Sequence, residues 1–190
     1  MIDNEEVIQS IENKRDQYIQ VASQIWDYAE TCFQEHRSSR ALESLLEQEG
    51  FRVQRDVAGM ETAFIAGAGS GKPVIGFLGE YDALPGLSQK AVAVTHTPIV
   101  EGGPGHGCCH HILGTGALAA AVALKEYMEH HNLPGTIRYY GCPAEEGGAG
   151  KIYLARDGLF DDADCAITWH PCDDNNIWSM NFMAIQNLRI

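Results

Sequence analysis

The feature that most limits how this chain can fold is a short run that never turns polar. From Pro73 to Leu78 it reads Pro-Val-Ile-Gly-Phe-Leu, and Gly-Glu-Tyr-Asp follows at once. A strand with one face in water would alternate polar and apolar residues. A continuous run suits a strand buried on both faces, which needs helices above and below the sheet.

The flanking segments supply those helices. Val7, Ile8, Ile11, Tyr18, Ala22, Ile25, Trp26 and Ala29 recur at mostly three- and four-residue spacings, predicting a helix from Asn4 to about Ala29. Ala41, Leu42, Leu45 and Leu46 mark a second helix, with Ser38 or Ser39 as its expected cap and Gly50 at its end. A third, strongly amphipathic, runs from His110 to about His130 and stops at Asn132-Leu133-Pro134-Gly135. Further strands are expected over Phe51 to Val57, Thr62 to Ala66, Thr136 to Gly141 and Asp164 to Trp169, with a short helix over Ala149 to Arg156. Ile177 to Ile190 reads as extended strand. The Gly- and Pro-rich stretch 83–105 has no period and is expected to be a long loop, a kind of segment that is usually functional or disordered. The pattern predicts the α/β class: a central mixed sheet flanked by helices.

Charge and cysteine usage narrow the function. With 13 Lys+Arg against 26 Asp+Glu the net charge is −13, so no basic surplus exists to neutralise nucleic-acid phosphates. No stretch approaches the roughly 18 continuous apolar residues of a membrane span, and Met1-Ile2-Asp3-Asn4-Glu5-Glu6 is acidic where a secretory signal needs positive charge. Cys32, Cys108, Cys109, Cys142, Cys165 and Cys172 are not spaced as a disulfide framework. These features lead to the expectation of a soluble, cytoplasmic protein.

Four polar clusters stand where α/β folds build sites. Glu80-Tyr81-Asp82 follows the buried strand, Glu145-Glu146 follows the strand ending at Gly141, His170 follows the strand ending at Trp169, and His106-Gly107-Cys108-Cys109-His110-His111 opens the long helix. Groups just past the carboxyl ends of strands converge on one crevice. Imidazole, thiolate and carboxylate meeting there make a set that Zn²⁺ accepts, and Cys108-x-His110 is its strongest signal. Glu145 and Glu146 read either as a ligand beside a proton acceptor or as first-turn acids of a helix. Asp82 reads as part of the site or as a turn former before Pro85, and His170 as a donor or a surface residue. His130-His131 reads as a solvated helix end, and His36 and His96 lack neighbours that suggest chemistry.

Taken in order, Gly-Glu-Tyr-Asp-Ala-Leu-Pro-Gly (79–86), Gly-His-Gly-Cys-Cys-His-His (105–111), Pro-Ala-Glu-Glu-Gly (143–147) and Trp-His-Pro (169–171) resemble one family. It is the two-metal peptidase family that includes glutamate carboxypeptidase, aminoacylase and the amidohydrolases of amino-acid conjugates. The resemblance implies a two-zinc exopeptidase-like catalytic domain and two divalent metal ions, Zn or Mn. Cys108 would bridge them, His110 and His170 would complete one ion's ligands, and Glu146 would bind the other. Glu145 would be the general base, and Asp82 would orient a ligand from behind. The substrate would be a small N-acyl amino acid, such as an aromatic acyl-glutamate, and the full-length form a homo- or hetero-dimer. The chain departs from the family pattern at Cys109, where Gly is usual, and at His111, where Asp or Asn is usual.

The family's chain is longer, so the resemblance also implies an incomplete catalytic domain over 1–178, with 179–190 starting an inserted dimerisation domain. A non-catalytic metal-binding or assembly subunit is the alternative reading. A cysteine hydrolase using Cys108 with His110 is a third, in which Glu146 and His170 have no task.

Overall fold

The computed structural model describes residues 4–177. All of the strand expected over Ile177 to Ile190 except Ile177, and the domain boundary expected at 178–179, lie outside them. Three helices lead: α1 (Asn4–Asn13), α2 (Arg15–Tyr28) and α3 (His36–Gln48). Then come β1 (Arg52–Arg55), β2 (Phe64–Ser70), β3 (Val74–Glu80), α4 (His110–His130), β4 (Gly135–Cys142), α5 (Glu145–Gly148), α6 (Gly150–Arg156) and β5 (Cys165–Ile167). Between β3 and α4 the chain forms no helix or strand, as the Gly and Pro content of 83–105 predicts.

The five strands form one mixed sheet in the order β1-β2-β4-β3-β5. β3 pairs in parallel with both β4 and β5, while β2 runs antiparallel to β1 and β4. The apolar run over 73–78 thus lies between two strands. Side chains alternate across the sheet, so Phe64, Ala66, Phe77, Ile137 and Tyr139 meet the helical layer of Ile25, Leu42, Leu46, Leu118 and Val122. Tyr140, Ile65 and Leu78 face the other way, against Val57, Met60 and Leu154. Gly114 lets α4 approach the sheet: a Cβ there would lie 2.4 Å from the Glu80 carbonyl oxygen. That close approach brings the start of α4 to the end of β3.

Two local expectations are corrected. The helix expected over Asn4 to Ala29 is two helices that break at Lys14, whose ammonium turns to the carboxylates of Glu49 and Glu126. Ser38 and Ser39 do not cap α3, which begins earlier, at His36. Instead the Glu30 carboxylate accepts from the Arg37 and Ser38 N–H groups at 3.1 and 2.8 Å, giving the helix start both donors' partner and a negative charge. Gly50 does end α3 with φ +84°, and the Gly50 and Phe51 N–H groups close on the Glu47 and Leu46 carbonyls. No helix among the described residues is long and apolar enough to cross a membrane.

Candidate metal centre

Because β3, β4 and β5 are parallel, their carboxyl ends share one edge of the sheet, and α4 begins at that edge. Chain direction alone therefore gathers the four clusters. Asp82 follows β3, Glu145 and Glu146 open α5 after β4, His170 follows β5, and Cys108 and His110 flank the start of α4.

Two left-handed residues aim the side chains. Cys109 has φ +61°, turning the chain between Cys108 and His110; this is the position where the family pattern has glycine. Ala144 has φ +58°, and its N–H donates to the buried carboxylate of Glu35 at 2.9 Å, which also accepts from the Phe33 N–H at 3.0 Å. Glu35 thereby holds the turn that presents Glu145 and Glu146.

The candidate ligands meet. Suitable atoms of Cys108, His110 and His170 lie within 4.8 Å of one another, and so do those of Glu80, His110 and Glu145. Cys108 Sγ is 3.2 Å from His170 Nε2, and Glu146 Oε1 is 3.9 Å from His110 Nε2. Asp82 is buried and works behind these groups: Oδ1 accepts from His110 Nδ1–H at 2.8 Å and Oδ2 from the Glu146 N–H at 2.9 Å. Asp82 is thus no mere turn former. Glu145 and Glu146 also occupy the first turn of a short helix, so both sequence readings of that pair hold.

Sequence reasoning assigned no role to Glu80, Lys151 or Glu35. Glu80 Oε2 stands 3.1 Å from His110 Nε2, and its other oxygen pairs with the Lys151 ammonium from α6. The signal for Glu80 was its place two residues before Asp82, at the end of the same strand. His111 does not join the donors. Its ring packs against Trp26 and His106, with centroids 4.9 and 5.0 Å apart. Cys142 is a buried core thiol, packed with Tyr140 and Leu154.

The electrostatics suit a cation. Burial pushes the Cys108 thiol up, and Glu146, Glu145 and Glu80 add to the effect, to about 12. The short contact of its sulfur is to His170 Nε2 at 3.2 Å, while the His110 that a cysteine hydrolase would use as base is held by Asp82. Burial would lower His110, yet the Asp82 hydrogen bond and the charges of Asp82, Glu80 and Glu146 raise it. Burial and Glu80 raise Glu145, partly offset by Lys151. With Nδ1–H committed to Asp82, His110 offers a lone pair at Nε2. That buried atom, which has Glu80 Oε2 3.1 Å away, and Glu146 Oε1 make no hydrogen bond. A lone pair and anionic oxygens facing each other across a buried crevice fit a divalent ion.

Comparison with known proteins shows which proteins the chain is similar to. The chain is 53% identical over 162 residues to a p-aminobenzoyl-glutamate hydrolase subunit of Escherichia coli, covering 85% of this chain and 34% of that protein. It is 32% identical over 164 residues to the Xaa-Arg dipeptidase of Mus musculus, covering 80% of this chain and 34% of the dipeptidase. The chain therefore spans about a third of the length of these curated relatives. Among solved structures, a dinuclear metal-binding M20 peptidase of Bacillus subtilis superposes with TM-score 0.66 at 23% identity, over 84% of this chain and 44% of that one. An aminobenzoyl-glutamate utilization protein of Klebsiella pneumoniae gives TM-score 0.59 at 16% identity, over 84% and 44%. Residues 76–183 match the family described as peptidase family M20/M25/M40. That stretch is more than half of the chain and holds every candidate donor from Glu80 to His170, so the chain belongs to peptidase family M20/M25/M40.

Proposed function

We propose that this chain carries most of the metal centre of a two-metal hydrolase that cleaves the amide bond of an N-acyl amino acid. The observation that carries the reading is the buried His110 Nε2 facing Glu146 Oε1, each without a hydrogen-bond partner, beside Cys108, His170 and Glu145. Cys108, His110, His170 and Glu146 would hold two divalent ions, Zn or Mn. When bound, the ions would supply Lewis acidity to an amide carbonyl and make water a better acid.

The chain's own groups do the rest. Asp82 fixes the His110 tautomer and leaves Nε2 for the ion. Glu145, whose proton affinity is raised by burial and Glu80, takes a proton from the attacking water and returns it to the leaving amine. Lys151 holds one oxygen of Glu80, which keeps the other toward His110. The family match and the 53% identical relative favour an acyl-glutamate such as aminobenzoyl-glutamate, and that relative's name, a hydrolase subunit, favours a homo- or hetero-dimer in the longer protein. No Arg stands within the four motifs, so the fork for a substrate carboxylate would come from elsewhere in that protein. A reducing, cytoplasmic setting would keep Cys108 available as a ligand.

In the longer protein, Glu145→Gln should keep its metal and lose at least about a hundredfold in kcat on an acyl-glutamate, since a general base and not a ligand is removed. Retained turnover would overturn the mechanism. Metal without turnover in the unmodified protein would favour the non-catalytic assembly role.

A further inference from the structure

The His130-His131 pair at the far end of α4 gains a partner that sequence spacing could not reveal. Glu6, from α1, lies 124 residues away from His130 in the chain, yet its Oε1 is 2.6 Å from His130 Nδ1. Its Oε2 is 2.8 Å from His131 Nε2. One ligand atom from each of the three lies within 4.8 Å of the others. The Tyr127 ring packs against His131 with centroids 4.3 Å apart, and the two imidazoles lie 4.9 Å apart, so the rings have neighbours that orient them.

We propose that Glu6, His130 and His131 form a surface site for a divalent transition-metal ion of the Zn²⁺ or Co²⁺ class, which fastens α1 to the end of α4. Two imidazole nitrogens and one carboxylate make a donor set used for zinc, and the open side toward solvent leaves room for water as a further ligand. The absence of sulfur from the three sets this site apart from the Cys108 centre. Imidazole nitrogen favours Zn²⁺, Co²⁺, Ni²⁺ or Cu²⁺ over Mg²⁺ and Ca²⁺, which prefer oxygen alone.

Without an ion, the two nitrogens that face Glu6 carry protons and donate to its carboxylate. Binding requires each ring to carry its proton on the opposite nitrogen instead, an exchange through solvent that leaves both lone pairs and the carboxylate facing the ion. The surrounding charges assist. Glu126, on the same face of α4, is engaged by Ser10 and Lys14, and Glu129 by Lys125, so no cation from either helix competes for Glu6 among the ion pairs of the described residues. The fastening would matter because α1 has no fully buried residue: Ile11 packs against the core and Ser10 reaches Glu126 of α4, both from its second half, while Glu6 reaches α4 from its first turn.

The test is Co²⁺ titration of the reduced, metal-stripped 190-residue protein, beside a His130→Gln/His131→Gln variant at exposed positions. The wild type should show sulfur-free ligand-field absorption and slower amide exchange in α1 on adding Co²⁺ or Zn²⁺. The double variant should bind one equivalent fewer and lose the slowing of α1 exchange, with any thiolate-to-cobalt charge-transfer band from Cys108 unchanged. Equal stoichiometry in both proteins would overturn the site, as would α1 exchange that does not respond to the ion. Loss of the thiolate band alone would bear on the Cys108 centre and leave this site standing, so the two readings fail separately.

Discussion

Helix α4 has a histidine pair at each end, and the two ends use the same chemistry in opposite surroundings. At its start, His110 donates to Asp82 at 2.8 Å with both side chains 0% exposed. At its end, His130 and His131 meet Glu6 at 2.6 and 2.8 Å, but are 73% and 40% exposed. Equal distances do not mean equal consequences. Water can replace either partner of an exposed pair, so such contacts contribute little by themselves. Asp82 is buried, and losing it strands a buried imidazole beside Glu80 and Glu146. The start of α4 is therefore fixed by buried hydrogen bonds, whereas the histidine pair at its end has only exposed ones.

Substitutions can break this contrast in graded steps. Asp82→Ala should cost about 3 kcal/mol or more, read as a lowered denaturant midpoint, because it unpairs His110 and frees the Glu146 N–H. An effect no larger than that of an exposed pair would erase the difference between the ends. The next effect is a pH dependence at His111. Burial, with His106 and His110 adding to it, pushes His111 down from 6.5 to about 4. The unfolded chain thus takes up this proton first. Stability should be unaffected by His111 above pH 6.5 and fall between 6.5 and about 4, by roughly 3 kcal/mol in all. Chemical denaturation across that range should show the slope, and His111→Gln should flatten it.

A smaller gain is expected from Cys109→Gly. The residue sits at φ +61°, where a side chain is strained and glycine is not, so the substitution should stabilise by about 1 kcal/mol. Thermal unfolding would show it. The smallest effect belongs to the other end: in metal-free buffer at neutral pH, His130→Gln/His131→Gln should leave the melting temperature unchanged within error. A clear drop there would mean that the exposed pair stabilises α1 without any ion.

Those contrasts also explain what the sequence could disclose. The unbroken apolar run at 73–78 marks a strand buried on both faces, and the parallel pairing of β3, β4 and β5 then delivers the motifs to one edge. That Cys108, His110, Glu146, His170, Glu145 and Asp82 would converge was legible because each sits beside a strand or helix end that periodicity reveals. Glu80 and Lys151 were not, since their pairing depends on where α6 packs against the end of β3. The break at Lys14 was hidden for a similar reason: the apolar spacing continues through it, and only the reach of Lys14 to Glu49 and Glu126 shows the interruption. Ser38 and Ser39 are good caps by type, but the helix starts before them, at His36, and its free Arg37 and Ser38 N–H groups go to Glu30 from outside the helix. Glu6 could not be joined to His131 before α1 was seen lying along α4.

The central claim is that the donors at the start of α4 hold metal, and metal content per chain tests it most directly. The measurement is elemental analysis of the 190-residue protein purified under reducing conditions, with Cys108→Ser and His130→Gln/His131→Gln alongside. The wild type should carry a divalent ion that Cys108→Ser loses and that the double histidine variant keeps. A wild type without metal, or a Cys108→Ser variant with undiminished content, would contradict the claim.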